Sequence, residues 1–181
     1  MSTIPPETIE RARKGDILAF EEIVSTFEKP LWSYLVRLVG SRDDAEDLIQ
    51  DTFVKVFKNI KTVDPSKNIK SWIYTIATNT AYDFLRKKKR QPTVELDEEY
   101  ETKPDNASYY SVSTEDSVET KDVAAAITRL DLLYRGPIIL YYKDGFSYEE
   151  IASMLSIPIN TLKTRLSRAK KQLASLLVNY E

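Results

Sequence analysis

From Phe146 to Leu173 the chain reads FSYEEIASMLSIPINTLKTRLSRAKKQL, with apolar residues at helical intervals in two sets separated by Ser156-Ile157-Pro158. Ile151, Ala152 and Leu155 make one stripe, opened by a Ser147-x-x-Glu150 capping box, so a first helix is predicted from Ser147 to Leu155. Proline suits the first position of a helix, where its missing N–H costs nothing, and a second helix is predicted from Pro158. Its packing face is Ile159, Leu162, Leu166, Ala169 and Leu173, and the opposite face holds Asn160, Lys163, Thr164, Ser167, Arg168 and Lys171. The pattern predicts a helix-turn-helix with a polar, basic outer face.

The same spacing runs through most of the chain upstream. After Gly15-Asp16, residues Ala19, Phe20, Ile23, Val24 and Phe27 line one face, continued past Pro30 by Leu31, Tyr34, Leu35 and Leu38 to a stop at Gly40. Ser41 caps the next helix, SRDDAEDLIQDTFVKVFKNI, whose acidic first turns suit the helix dipole. Its buried stripe is Ala45, Leu48, Ile49, Thr52, Phe53, Val56 and Ile60, and its other face carries Asp43, Glu46, Asp47, Gln50 and Asp51. Beyond Pro65, KNIKSWIYTIATNTAYDFLRKKKR sets Ile69, Trp72, Ile73, Ile76, Ala77, Ala81 and Phe84 at helical spacing and ends in five consecutive basic residues, Arg86 to Arg90. Val123, Ala126, Ile127 and Leu130 mark a further helix and Leu133 to Tyr142 another, its start disturbed by Pro137. Only YYSVS at 109–113 alternates like a strand. The expected fold class is all-α, with a helical bundle and a C-terminal helix-turn-helix domain joined by a flexible acidic linker.

Composition narrows the chemistry. A chain of 181 residues, 42% hydrophobic, is long enough for one or two packed domains. It has no Cys and no His, which removes disulfides, Cys/His metal centres, Ser-His and Cys-His nucleophile pairs and any imidazole acid or base. No enzyme constellation can be assembled, and neither metal nor cofactor is expected. No apolar run approaches the ~20 residues needed to cross a bilayer, and MSTIPPETIERARKG lacks the apolar stretch of a signal peptide, so a cytoplasmic location is expected.

The net charge of -2 conceals a division along the chain. Residues 1–90 carry 16 basic and 13 acidic side chains, residues 91–120 carry 1 and 9, and residues 121–181 carry 9 and 6. Two mildly basic segments thus flank a tether of net charge -8 that is poor in aliphatics and rich in Pro, Ser, Thr and carboxylates. As a relaxed coil such a tether spans roughly 30 Å, and extended it reaches about 100 Å.

From Asn160 to Lys171 there are five basic residues and no acidic one, among short side chains able to reach base edges or phosphates. The other reading of that face is a solvated amphipathic helix. Trp72, Tyr74, Asn79, Thr80 and Tyr82, beside the run Arg86 to Arg90, offer stacking and hydrogen bonding to unpaired bases together with phosphate neutralisation. Equally, Trp72 belongs to a core and the basic run solubilises a helix end. The acidic face of 41–60 reads on composition as a solvated face.

Taken in order, AEDLIQDTF at 45–53, SWIYTIATNTAYDFLRKKKR at 71–90, an acidic linker and the helix-turn-helix segment at 146–173 resemble the extracytoplasmic-function (ECF) group of bacterial RNA polymerase sigma-70 factors. The resemblance covers nearly all of the chain outside the linker. It implies a region 2-like domain at 1–90, a linker at 91–120 and a region 4-like domain at 121–181. It further implies promoter-specific initiation with core RNA polymerase (β′ coiled coil and β subunit), promoter DNA and an anti-sigma factor as partners, without catalysis, membrane insertion or a small-molecule substrate. Asp47, Gln50 and Asp51, with Phe53 and Phe57, become the residues expected to dock on the β′ coiled coil. Asn79 and Thr80 are expected to capture a flipped base of the -10 element, Trp72 to shape that surface, and Arg86, Lys87, Lys88, Lys89 and Arg90 to grip phosphates. The -35 element falls to Asn160, Lys163, Thr164, Arg165, Ser167, Arg168 and Lys171. Lys163 and Ser167 depart from the family's usual Arg and larger residue, and Lys lacks the rigid bidentate fork that Arg offers guanine, so the target sequence does not carry over. Asn160, where Gly is common, and Ile69, where Phe is common, depart too. A conventional dimeric helix-turn-helix regulator and a helical adaptor that binds only protein are the other classes open to this sequence.

Overall fold

A computed structural model describes residues 4–90 and 118–178. Helix α1 (Pro6–Arg13) begins with proline at its first position and buries Ile9 and Ala12; the periodicity upstream of Gly15 was too short to predict it. Gly15 turns the chain at φ +93°, a left-handed conformation that favours glycine. Asp16 then caps α2 (Ile17–Val39) by accepting the Ala19 N–H at 3.2 Å. That hydrogen bond and the Arg11 guanidinium, 2.6 Å away, hold the Asp16 carboxyl below its ordinary value. Helix α2 runs through Pro30, which stands exposed on its outer side, and ends at Gly40, a left-handed cap whose N–H reaches Val36 O at 2.8 Å.

Ser41 caps α3 (Arg42–Asn59) through the Asp44 N–H at 3.2 Å, and a 3₁₀ turn, Ile60–Thr62, follows. The Asn68 side chain accepts from the N–H groups of Lys70 and Ser71 and starts α4 (Ile69–Arg90). Helices α2, α3 and α4 close a core around Ile23, Leu31, Leu35, Ala45, Val56, Ile73 and Ala77, all at 0% exposure. Two tyrosines extend it. Tyr34 and Tyr74 lie with ring centroids 5.2 Å apart, and the Tyr34 hydroxyl shares a 2.8 Å hydrogen bond with Thr78 Oγ1.

The second group comprises α5 (Val118–Arg129), α6 (Leu132–Tyr142), α7 (Tyr148–Met154) and α8 (Ile159–Val178). Helix α5 already begins at Val118, inside the range expected as linker; the rest of that range and the YYSVS segment lie outside the described residues. Asp131 caps α6 through the Leu133 N–H at 2.9 Å, and the helix continues through a buried Pro137. The capping box at α7 is complete: Ser147 Oγ accepts from the Glu150 N–H at 3.2 Å, and Glu150 Oε2 accepts from the Ser147 N–H at 2.9 Å. Pro158 stands one residue before α8, its carbonyl accepting the Leu162 N–H at 3.1 Å.

The two groups are in contact, which a reading of two domains on a tether did not anticipate. Helix α2 packs on α5 and α6, and α4 packs on α7. Arg135 donates to Leu38 O at 2.9 Å and to Leu130 O at 3.0 Å, tying the end of α2 to the end of α5. Lys70 Nζ donates to Asp144 O at 2.6 Å, and the Tyr74 hydroxyl to Asp144 Oδ1 at 3.0 Å. At Gly136 the helices approach so closely that a Cβ would overlap the Tyr82 hydroxyl.

Candidate nucleic-acid interface

Helix α8 buries Leu162, Leu166 and Ala169 and so turns Asn160, Lys163, Thr164, Ser167, Arg168 and Lys171 to solvent. Thr164 is anchored by its own hydroxyl, which donates to Asn160 O at 2.9 Å. Arg165 is different: it is half-buried, and its charge acts on the Tyr82 hydroxyl of α4, so it lies toward the junction of the two groups. The turn before α8 contains Ser156 at φ +52°, the one non-glycine residue in the left-handed region among the described residues. Lys170, outside the predicted set, lies with Nζ 5.5 Å from the centroid of the exposed Tyr142 ring.

On α4 the predicted residues separate. Asn79 is exposed, and Trp72 is half-buried, lining a cleft with Thr75, Glu149, Ser153 and Met154. Thr80 is 4% exposed; its hydroxyl donates to Ile76 O at 2.8 Å and accepts from Lys55 Nζ at 2.9 Å, so it is committed within the bundle and presents nothing to a base. Tyr74 is fully buried and Tyr82 half-buried, its hydroxyl pushed up to about 12 by burial, so neither offers a ring for stacking. The cause is common to all three: α4 is covered on two sides, by α2 and α3 and by the second group of helices. Arg86 to Arg90 project from its far end. Arg86 pairs with Asp83, and Lys88 pairs with Asp44 Oδ2 at 2.8 Å, which leaves Lys87, Lys89 and Arg90 without an ion pair among the described residues.

Along the outer face of α3, Asp47, Gln50 and Asp51 are exposed and make no hydrogen bond or ion pair among the described residues. Phe57 is 56% exposed, whereas Phe53 is half-buried and packs on the core, so the two phenylalanines grouped by sequence occupy different environments.

The junction concentrates hydrogen bonds on two carboxylates. Glu150 Oε1 accepts from Asn68 Nδ2 at 3.0 Å and from Ser71 Oγ at 2.9 Å, while Oε2 serves the capping box. Desolvation alone would raise this carboxyl, but the bonds from Ser147, Ser71 and Asn68 hold it below its ordinary value. Asp144 has the reverse balance. Burial pushes it up to about 6 against the lowering effect of Tyr74, Lys70, Arg37 and Lys143, and its Oδ2 is buried without a hydrogen-bond partner. Sequence periodicity carried no sign of this, because the partners lie 70 or more positions apart. No helix among the described residues is long and apolar enough to cross a membrane.

Residues 23–91 match the family model described as Sigma-70 region 2, and residues 120–173 that described as Sigma-70, region 4. Over 187 aligned positions the chain is 32% identical to the ECF RNA polymerase sigma factor SigW of Bacillus subtilis, covering 98% of each. The sigma factor RpoE of Bartonella quintana, solved in complex with the anti-sigma factor NepR, is similar with a TM-score of 0.70 and 28% identity, over 87% of this chain and 96% of that one. CnrH, solved with the cytosolic domain of CnrY, shares the fold with a TM-score of 0.72 at 22% identity, over 98% and 99% of the two chains.

Proposed function

The chain belongs to the ECF group of the sigma-70 family, and from that membership we propose how its surfaces divide the work of directing core RNA polymerase to promoters. Residues 1–90 form the region 2-like part and residues 121–181 the region 4-like part, with the acidic stretch between them as a tether. The outer face of α3, with Asp47, Gln50, Asp51 and Phe57, docks on the β′ coiled coil. On α4, Asn79 meets an unpaired base of the -10 element beside Trp72, and the basic end of the helix takes nearby phosphates. The outer face of α8 reads the -35 element, with Lys163, Thr164, Ser167, Arg168 and Lys171 in the groove. The protein acts by binding, in the cytoplasm, and an anti-sigma factor is the partner that would hold it inactive. What carries this reading is the coincidence, on one chain, of an unpaired acidic face on α3 and two separate cationic surfaces on α4 and α8.

Neither cationic surface is large. Each phosphate neutralised contributes a log-log salt slope of roughly -0.9, and a few contacts give weak, salt-sensitive binding. Docking on polymerase makes the second contact intramolecular, and the resulting effective concentration supplies the missing affinity. Two promoter elements on different turns of the duplex, about 34 Å per turn, require the two helical groups to part, because α4 and α7 touch in the structure.

Run-off transcription with purified core polymerase tests the reading. Promoter-specific transcripts are expected from the wild type and lost in an Asp47/Gln50/Asp51 triple-Ala variant. No transcripts from the wild type, or tight specific binding of the isolated protein to DNA in a gel shift, would point to another class of protein.

A further inference from the structure

Helix α1, the middle of α2 and the loop leading into α4 leave a cavity of about 570 Å³ between them. Its lining falls within residues 4–74, so the first helical group carries it without help from the second. The buried side chains of Ile9, Phe27 and Ile69 form its inner wall, and the exposed Pro6 and Pro30 stand toward solvent. The volume lies in the range of small-molecule sites, ~300–1,000 Å³.

The polar side chains of the lining are committed, with one exception. Thr26 Oγ1 donates to Glu22 O at 2.8 Å, and Ser66 Oγ to Asp64 Oδ1 at 2.7 Å. Asn68 Nδ2 donates to Glu150 Oε1 at 3.0 Å, while its Oδ1 serves the start of α4. Lys70 Nζ and the Tyr74 hydroxyl are both turned to Asp144. Lys67 is the exception: it is exposed, and its ammonium makes no hydrogen bond or ion pair among the described residues. No carboxylate lines the cavity. Asp64, on the same loop, is held below its ordinary value chiefly by the two bonds from Ser66, with a smaller contribution from the charge of Lys67.

This accounting selects a ligand class. A sugar or a nucleotide would bury several donors and acceptors against apolar side chains and already bonded groups, which costs free energy for each one left unpaired. A hydrocarbon body loses nothing there, and one negative charge at the edge meets the uncommitted ammonium. We propose that the cavity between α1, α2 and the start of α4 binds a small amphiphilic anion, a free carboxylate on an apolar body, with the body against Ile9, Phe27 and Ile69 and the charge at Lys67. None of the residues assigned to polymerase or promoter DNA lines this cavity, so the proposal stands or falls apart from those assignments.

Titration calorimetry of the full-length protein with decanoate at pH 7.5 tests it. One-to-one binding in the submillimolar range is expected, weakening roughly fourfold for each methylene removed from the chain. Thr26→Trp, which fills the cavity from a half-buried position on α2, is expected to abolish binding with circular dichroism and melting temperature retained. Lys67→Gln should weaken it about two- to fivefold, the effect of losing one exposed charge partner, and Lys67→Glu further. The two Lys67 variants lie at an exposed position and keep the test decisive should Thr26→Trp fail to fold. No saturable binding, several equivalent sites per chain, or binding that a folded Thr26→Trp leaves unchanged would overturn the site. Equal affinity for decyltrimethylammonium, or no effect of either Lys67 variant, would overturn the ligand class. Binding to phosphatidylglycerol vesicles without binding of decanoate would point to a lipid surface and overturn the proposal as well.

Discussion

The Tyr74 hydroxyl donates to Asp144 Oδ1 at 3.0 Å, joining the second turn of α4 to the loop after α6 across the junction of the two helical groups. Lys70 from the same helix holds the Asp144 carbonyl at 2.6 Å and lies 4.3 Å from the centroid of the Phe146 ring. These contacts put a largely buried carboxylate between two parts of the protein that the proposed function requires to separate.

Closure should therefore depend on pH. Asp144 is pushed from 3.8 to about 6 in the closed arrangement, so this arrangement binds its proton more tightly than the open one does. The contribution of Asp144 to closure is fully present below its open-state value and is lost as pH rises through about 6, a difference on the order of 2–3 kcal/mol. Arg37, Lys70 and Lys143 face it as cations that favour its charged form, and the Tyr34 and Tyr74 hydroxyls, raised by burial, stay neutral in that window. The chain has no Cys, so dye pairs can be placed at Glu46→Cys and Lys163→Cys without background. Energy transfer is expected to rise as pH falls from 7.5 to 5, and Asp144→Asn to hold the pH 5 value throughout. A flat wild-type profile would contradict this.

Gly136→Ala should part the two groups without unfolding either. The added methyl would overlap the Tyr82 hydroxyl and stand 3.3 Å from Cζ, a clash that costs about 1–3 kcal/mol in a packed junction, while α6 itself gains up to about 1 kcal/mol of helix propensity. Lower energy transfer with unchanged helicity is expected. Adding Tyr82→Phe should recover part of the loss, and no recovery would place the strain elsewhere.

Asn79 and Thr80 are neighbours with opposite expected phenotypes. Asn79→Ala should leave the melting temperature in place and reduce open-complex formation on a promoter, read by permanganate reactivity. Thr80→Val leaves Lys55 Nζ without its 2.9 Å partner and removes a buried hydroxyl, so it should lower stability by about 1 kcal/mol with little effect on melted DNA per folded molecule. Equal loss of opening in both variants would refute the distinction.

For α8, the exposed Lys163 and Arg168 should each account for one phosphate or base contact in the holoenzyme. Replacing either with Ala should weaken promoter binding and, where the contact is to phosphate, make the salt slope shallower by about 0.9. The half-buried Arg165 should behave differently. Arg165→Ala is expected to show its larger effect on energy transfer between the two groups than on the salt slope.

The helices were legible where one face packs and the other does not. The capping box, the N-cap and the glycine stop at Gly40 are local signals: Ser41 and Ser147 each cap where the sequence places them, and the break at Gly15-Asp16 falls at a helix start. Helix α4 defeated the same reasoning because it is covered on two sides. Tyr74, Thr80 and Tyr82 fall off the main apolar stripe and looked available, yet the first two are buried and the third half-buried. The contacts between the two groups were invisible for a related reason: Asp144, Glu150 and Arg135 are polar residues whose partners are set by tertiary approach and leave no period in the chain. Phe53 and Phe57 show the finer limit, since four positions along a helix were enough to move one ring onto the core and leave the other in solvent.

Glu150 gives each of its oxygens a different allegiance. Oε2 fastens the start of α7, and Oε1 holds Asn68 and Ser71 of the other group. When the groups move apart, only Oε1 loses its partners, and water can replace them at a surface carboxylate. The start of the reading module stays fastened throughout. The protein can thus give up this contact, with those of Lys70, Tyr74 and Arg135 across the junction, without unfastening the start of α7, and under the proposed function its reading end travels as a finished part that needs no refolding on arrival.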